Sequence, residues 1–448
     1  MVHSELNNKK TLHSSMKELL ISGSAWSIIG YGASKLIRLV GNLILTRLLF
    51  PEAFGIMAIV EMVMHGIQMF SDMGISAGVI RDPRGDEPQF FNTAWTLQVI
   101  RGFGLGFFVC ILSWPVSIIY HEPLFLYLLP LSGLSAVIQG FNSTIVLSLR
   151  RHVHLKPIII WEMMSQIIGL IIMIALAWTL RSVWALVIGG LFRIIIAMLS
   201  SHFLIHDRKP VFFWDRTAII ELIRFGKWIT ISTALTFIIQ QGDKAIFGIF
   251  VTKAELGLYA IATVWSRMGI EALLRLNSQV LFPIYANLYN KGDLLLRKRV
   301  FQARLRLIGI FVPLMWGLSL GGQRIINFLY DARYADAGWI IQILSIGSIG
   351  AVISTTAGNI LLAVGDSKRY MLLQTSRGFL LIVCITIGAY YSGFTGMVFG
   401  VAASKVCDYP LLSWAIHRYG VWMPKLDLST MAVSALVLPI GYFFFGQL

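Results

Sequence analysis

Apolar residues in this chain come in runs of about 20 or more, parted by short polar segments, without the alternation of a half-buried strand. About 20 consecutive apolar residues carry a helix across roughly 30 Å of hydrocarbon. The pattern predicts helical spans near 21–48, 54–79, 91–120, 124–149, 157–180, 183–205, 221–250, 255–289, 302–321, 337–363, 370–391 and 394–417. A last apolar stretch, 429–446, is just long enough to be a thirteenth. Segment 255–289 is the most polar and is expected to bend near Pro283 or to run on into an interfacial helix. The weak alternation over about 10 residues that marks an outer-membrane barrel is absent. The expected fold class is all-α, a polytopic helical membrane protein with about 12–13 spans.

The polar connections fix an orientation, because Lys and Arg are retained on the cytoplasmic side. With the N-terminus placed inside, the inner segments 1–20, 80–90, 150–156, 206–217, 290–301, 366–369 and 418–428 hold 19 basic residues. The outer set is Arg47, Arg181, Lys253, Arg324 and Arg333, which is 5. The contrast holds at every loop and supports the span count as well as the orientation. The outer connections at 121–123, 181–182 and 392–393 are only a few residues each, too small to carry an active site. The polar first 20 residues read as a cytoplasmic tail. The apolar run from Ile21 to Thr46 is too long for a signal-peptide core and is expected to stay as a span.

Composition agrees. Of 448 residues, 56% are hydrophobic and 13% charged, about half the charge of a soluble domain. The net charge of +15 would suggest nucleic acid in a soluble protein, but no basic domain interleaved with aromatics exists here. Membrane topology and an anionic substrate explain the excess better, and no nucleic-acid partner is expected. Cys110, Cys384 and Cys407 lie in apolar segments without metal-ligand spacing and read as buried structural thiols. No metal-spaced histidines, nucleophile elbow or Asp-rich sugar-transfer motif is present, so no catalytic residue, metal or cofactor is assigned.

The junctions of spans 1–2 and 7–8 repeat each other. Leu49 to Ile59 (LFPEAFGIMAI) corresponds to Val251 to Ile261 (VTKAELGLYAI) at an offset of 202, with Gly55 on Gly257, Ala58 on Ala260 and Ile59 on Ile261. Six spans separate the copies, so both have the same orientation. Such parallel repeats, related about the membrane normal, favour alternating access around a central cavity. The domain reading is a tail at 1–20, an N-lobe at 21–207, a C-lobe at 208–418 and a terminal segment at 419–448.

Thirteen basic residues fall inside the spans, each costing roughly 2.5–3.5 kcal/mol at a helix centre. Arg224, Arg304 and Arg306 sit near the cytoplasmic ends and are expected to snorkel. Asp243–Lys244 and Lys405–Asp408 read as local ion pairs. Others line up on faces. Span 1 carries Ser27, Tyr31, Lys35, Arg38 and Asn42 on one helical stripe; span 2 carries Glu61, His65, Gln68 and Asp72; span 8 carries Arg267, Glu271, Arg275 and Gln279 at every fourth position. At 1.5 Å per residue Arg267 lies roughly 20 Å from the outer end, near the midplane. Three aligned faces with bases outnumbering acids point to a water-filled cationic cavity rather than to helix stapling alone. Arg267 and Arg275 are the first candidates to grip an anion, since guanidinium holds phosphate oxygens bidentately, with Lys35 and Arg38 next. Glu61, Asp72 and Glu271 are candidates to tune those cations or to carry protons. The glycine clusters at 102–106 and 317–321 read as helix-packing devices.

Several segments together resemble the Wzx-type polysaccharide flippases, closest to the exopolysaccharide and colanic-acid exporter branch. They are GSAWS at 23–27, RLLFPEAFG at 47–55, Asp243-Lys244, AELGLYA at 254–260, LFP at 281–283 and NILLAVG at 359–365, and the likeness covers about 20–420. The resemblance implies the multidrug/oligosaccharidyl-lipid/polysaccharide exporter fold, two six-helix lobes around a cavity, in the bacterial inner membrane. It further implies an undecaprenyl-diphosphate-linked oligosaccharide as substrate, carried from the cytoplasmic to the periplasmic leaflet, with membrane lipids and a glycan polymerase as partners and H+ or Na+ as coupling ion. Three rivals remain. A cation-coupled multidrug exporter would be expected to have an acid-dominated cavity, and a peptidoglycan-precursor flippase differs in head group. A membrane enzyme is disfavoured by the short outer loops and the missing catalytic motifs.

Overall fold

The computed structural model describes residues 26–71, 79, 84, 87–152, 154–204, 210–282, 285 and 296–445. Among them there is no β-strand. The long apolar runs form α1 (Trp26–Leu48), α2 (Pro51–Ser71), α3 (Pro88–Ile119), α4 (Phe125–Gly140), the short α5 (Ile145–Arg151), α6 (Leu155–Leu180), α7 (Val183–Ser201), α8 (Arg216–Phe250) and α9 (Lys253–Leu276). They continue with α10 (Leu296–Leu329), α11 (Ala337–Gly358), the single turn α12 (Ile360–Ala363), α13 (Ser367–Cys407), α14 (Tyr409–His417) and α15 (Pro424–Phe445). Eight stretches among the described residues are long and apolar enough to cross a membrane, or nine if α4 and α5, bent by 63°, form one span. The chain is a multi-pass helical membrane protein. The terminal stretch is helical through Phe445, with Pro424–Phe443 among the eight.

Local chemistry sets the breaks. The span expected at 124–149 is divided where α4 ends, and Gln98 of α3 caps that end by donating from Nε2 to the carbonyls of Gln139, Gly140 and Asn142 at 3.2, 3.1 and 3.2 Å. The two spans expected at 370–391 and 394–417 run on through α13, interrupted at Ser392 and by Gly393, whose φ of 54° suits a residue without a Cβ. Beyond α9 the chain passes into a wider π turn at Asn277–Leu281. Pro283, where a bend was expected, lies outside the described residues.

The chain divides into two compact units, residues 1–49 with 63–234, and residues 50–62 with 235–448. In the first, α1 lies on α6: the Ser34 hydroxyl donates to Gln166 Oε1 at 2.8 Å while Gln166 Nε2 donates back to the Ser34 carbonyl at 3.1 Å. Gly102 and Gly106 let α3 and α4 meet backbone to backbone, a Cβ at Gly102 coming 2.7 Å from the Ala136 carbonyl oxygen. The second expected glycine cluster has no such role. A Cβ on Gly317 would meet nothing within 4 Å, and one on Gly321 only the side chain of Ile325 one turn on. Nor are the thiols core residues: Cys110 and Cys407 are exposed and Cys384 is half-buried.

In the second unit the core gathers Leu273, Phe311, Met315, Val352, Leu412 and Ile416 from α9, α10, α11 and α14. Here the two copies of the sequence repeat touch. A methyl group on Gly55 would strike the carbonyl oxygen of Lys253, and one on Gly257 would strike that of Pro51. Pro51 and Lys253 are themselves equivalent positions at the same offset of 202, so each copy seats its glycine on the other's first turn. The helix α15 is stitched to α10 along its length, by Trp316 Nε1 to Ser434 Oγ at 3.0 Å and by Tyr442 Oη to the Ser319 carbonyl at 3.0 Å.

Candidate functional site

The site is built from the start of α9. Thr252 and Glu255 form a reciprocal capping box, Glu255 N to Thr252 Oγ1 at 3.2 Å and Thr252 N to Glu255 Oε2 at 2.8 Å, which fixes where the helix begins. Tyr259, Thr263 and Arg267 then follow at every fourth residue on one face. Asp243 of α8 meets that face. Arg267 Nη2 lies 2.7 Å from Asp243 Oδ2, and the Tyr259 hydroxyl donates to the same oxygen at 2.6 Å. Lys244 N–H donates to Oδ1 at 2.9 Å, and Arg267 Nη1 donates to the Gln240 carbonyl at 3.1 Å. Phe247 stacks on the Tyr259 ring at 4.2 Å between centroids. The Asp243 side chain is only 3% exposed whereas Arg267 keeps 35%, so a third of the arginine remains open for another acceptor.

Cross-helix pairing replaces the local pairs expected from sequence. The side-chain partner of Asp243 is Arg267, 24 residues on, with Lys244 contributing its backbone N–H. Asp408 is held by Arg377 Nε at 2.8 Å and by the Ser354 hydroxyl at 2.9 Å, while Lys405 Nζ sits 3.3 Å from Ser348 Oγ instead. Asp243 and Lys244, adjacent on their helix, point about 100° apart, which leaves those two charges facing different neighbours. Arg304 is a further correction. Rather than snorkelling, it is fully buried against Asp427 of α15 at 2.6 Å, because Asp427 brings a carboxylate to it at that depth.

The other expected residues are distributed as follows. Glu271 is half-buried one turn beyond Arg267, and Arg275 is exposed one turn further. Glu61 is exposed on the part of α2 that belongs to the second unit. Lys35 and Arg38 lie on α1 in the first unit, the Lys35 ammonium half-buried 5.5 Å from the Tyr31 ring centroid and Arg38 exposed. Asp72 lies outside the described residues. Sequence reasoning paired Asp243 and Asp408 with near neighbours and missed Asp427; each is a carboxylate in an apolar stretch, which in a membrane demands a cation, here one from elsewhere. Outside the spans, the Tyr419 hydroxyl, 2.5 Å from Asp366 Oδ2, and the Arg369 N–H at 3.0 Å hold the Asp366 carboxyl below the usual carboxylate range.

A partly open arginine with a buried counter-carboxylate suits binding of an anion within a membrane. Residues 44–338, more than half of the chain, match the family described as polysaccharide biosynthesis protein. The chain belongs to the polysaccharide biosynthesis protein family. Within reach of this family lies the lipopolysaccharide biosynthesis protein WzxC of Escherichia coli (strain K12), 21% identical over 97% of this chain and 90% of its own length. The succinoglycan biosynthesis transport protein ExoT of Rhizobium meliloti (strain 1021) is 21% identical over 72% of this chain, a match that takes in 64% of ExoT. Among solved structures, the lipid II flippase MurJ in an inward closed conformation superposes with a TM-score of 0.73 at 13% identity, over 94% of this chain and 92% of that one. An inward-facing multidrug resistance MATE transporter of the MOP superfamily gives 0.68 at 14%, over 86% and 94%. The family member described here therefore has the fold of membrane exporters.

Proposed function

We propose that this protein is an inner-membrane flippase for exopolysaccharide or O-antigen biosynthesis. It carries an undecaprenyl-diphosphate-linked oligosaccharide from the cytoplasmic to the periplasmic leaflet by alternating access. The observation that carries the reading is Arg267, a guanidinium deep in a membrane helix, fixed by Asp243 and Gln240 yet one-third exposed, in a member of a polysaccharide biosynthesis family. Such a group is too costly to keep in hydrocarbon without a use, and its geometry suits a diphosphate.

In this reading Arg267 and Arg275 grip the diphosphate, Lys35 and Arg38 are the further candidate cations for the substrate, and the sugars occupy polar and aromatic surface. The repeats, 21–207 and 208–418, are the moving halves, with 419–448 adding the thirteenth helix. The N-terminus faces the cytoplasm, as the 19-to-5 division of basic residues supports. Glu61, Asp72 and Glu271 are the candidates for coupling to H+ or Na+, and a glycan polymerase receives the product. No covalent step is involved. Replacing Arg267 or Arg275 by Ala should reduce glycan export by at least about 100-fold, which corresponds to about 2.7 kcal/mol of lost binding, at unchanged membrane abundance. Normal export in both single variants overturns the reading.

A further inference from the structure

The carboxylate that fixes Arg267 also occupies it. A carboxylate on a guanidinium uses the same N–H edge that a phosphate uses. An anionic substrate that takes the Nη2 edge of Arg267 therefore competes with Asp243 for it. The surroundings are arranged for the departure of Asp243. Asp243 would keep the Tyr259 hydroxyl and the Lys244 N–H, both of which belong to groups other than Arg267. Lys405 lies within electrostatic reach of both Asp243 and Arg267, and among the described residues its ammonium is bonded only to the Ser348 hydroxyl at 3.3 Å. Among the described residues it forms no ion pair with a carboxylate, and the other buried carboxylates there, Asp408 and Asp427, are each committed to an arginine.

Building on the flippase reading, we propose that Asp243 is a resident counter-anion of Arg267, displaced from it by the substrate's diphosphate, and that Lys405 receives the freed carboxylate. The exchange gives the Asp243 carboxylate a cation to pair with in either state. Empty, Asp243 neutralises Arg267; loaded, the diphosphate neutralises Arg267 and Asp243 neutralises Lys405. It also sets a specificity filter, because a neutral glycan or an uncharged lipid cannot displace a carboxylate already held by two hydrogen bonds and an ion pair. The arrangement lowers affinity for the diphosphate in return for selectivity, and removing the competitor should raise that affinity.

The test measures binding of undecaprenyl diphosphate to the full-length protein in detergent. Asp243→Asn, which keeps the shape and removes the charge, should bind at least about tenfold more tightly than wild type, the low end of coupling for close charge pairs. Lys405→Met should weaken binding about tenfold in the wild-type background, where the freed carboxylate then has no acceptor, and less than twofold in the Asp243→Asn background. Unchanged or weaker binding by Asp243→Asn overturns the proposal. If that variant does not fold, Lys405→Met alone decides, since unchanged affinity there overturns it equally. Arg267→Ala separates the two levels: retained binding in that variant removes the flippase reading itself, whereas its loss together with an unaltered Asp243→Asn removes only the exchange.

Discussion

Two arginine–aspartate pairs in the second unit have nearly the same length and opposite characters. Arg304–Asp427 closes at 2.6 Å with both side chains fully buried, and Tyr409 adds a hydroxyl contact to the carboxylate at 3.3 Å. Arg267–Asp243 closes at 2.7 Å with the acid buried and the base one-third exposed. A pair sealed on both sides has no surface on which to meet a ligand and serves to join α10 to α15. A pair sealed on one side fixes its base yet leaves that base a surface on which to meet an anion. Distance does not distinguish a staple from a binding site here; the exposure of the cation does.

The largest effect should come from breaking the sealed pair. Arg304→Met leaves Asp427 buried and unpaired, and should cost about 3–5 kcal/mol of stability in a thermal or denaturant melt. Replacing Asp427 with Leu in the same chain should recover most of that loss, and the doubly changed protein should still export glycan. A double variant that is stable but inactive would mean that the sealed pair does more than staple. Arg377–Asp408 supplies a middle case, with the arginine 23% exposed and the acid 4%. Asp408→Asn keeps the Ser354 contact but loses the charge, and a melt should show a cost of about 1–3 kcal/mol. A cost equal to that of Arg304→Met would break the ordering by exposure.

The smallest effect belongs to Asp366 in the loop before α13, where the Tyr419 hydroxyl, the Arg369 N–H and the Arg369 guanidinium lower the carboxyl's titration. A depressed folded-state value means that the stabilisation is complete above about pH 5 and fades as pH falls through that value. Asp366→Asn should therefore melt slightly below wild type near neutrality, and the gap should narrow as the pH falls below the ordinary carboxylate range. A gap that widens on acidification would show that the bond from Tyr419 favours the neutral acid instead.

Much of this architecture is legible in the amino-acid sequence, for a physical reason. Hydrocarbon requires a helix of about 20 apolar residues and penalises every polar one, so runs such as 157–180 and 183–205 announce α6 and α7 within a few residues. Periodicity likewise places Arg267, Glu271 and Arg275 on consecutive turns of one helix. What it cannot reveal is which other helix that side faces. The pairing of Asp243 with Arg267, of Asp408 with Arg377 and of Arg304 with Asp427 each joins different helices or distant turns, at separations of 24, 31 and 123 residues. Nearest-neighbour chemistry favoured Lys244 and Lys405 for two of those acids, and packing between helices decided otherwise. The division of one expected span into α4 and α5 was hidden for a similar reason, since the cap that ends α4 comes from Gln98 on another helix.

The reciprocal seating of Gly55 on Lys253 and Gly257 on Pro51 has a bearing on ancestry. A contact in which position i meets j while the equivalent of j meets the equivalent of i is the isologous geometry of a symmetric homodimer. A polypeptide half this long, holding one copy of the motif, would already carry both sides of that contact and would need only a second molecule of itself to complete it. Fusing two such genes preserves the junction without inventing a new surface. It also ties the fate of the two glycines together, since a side chain gained at either one meets a main-chain oxygen that no rotamer can move aside.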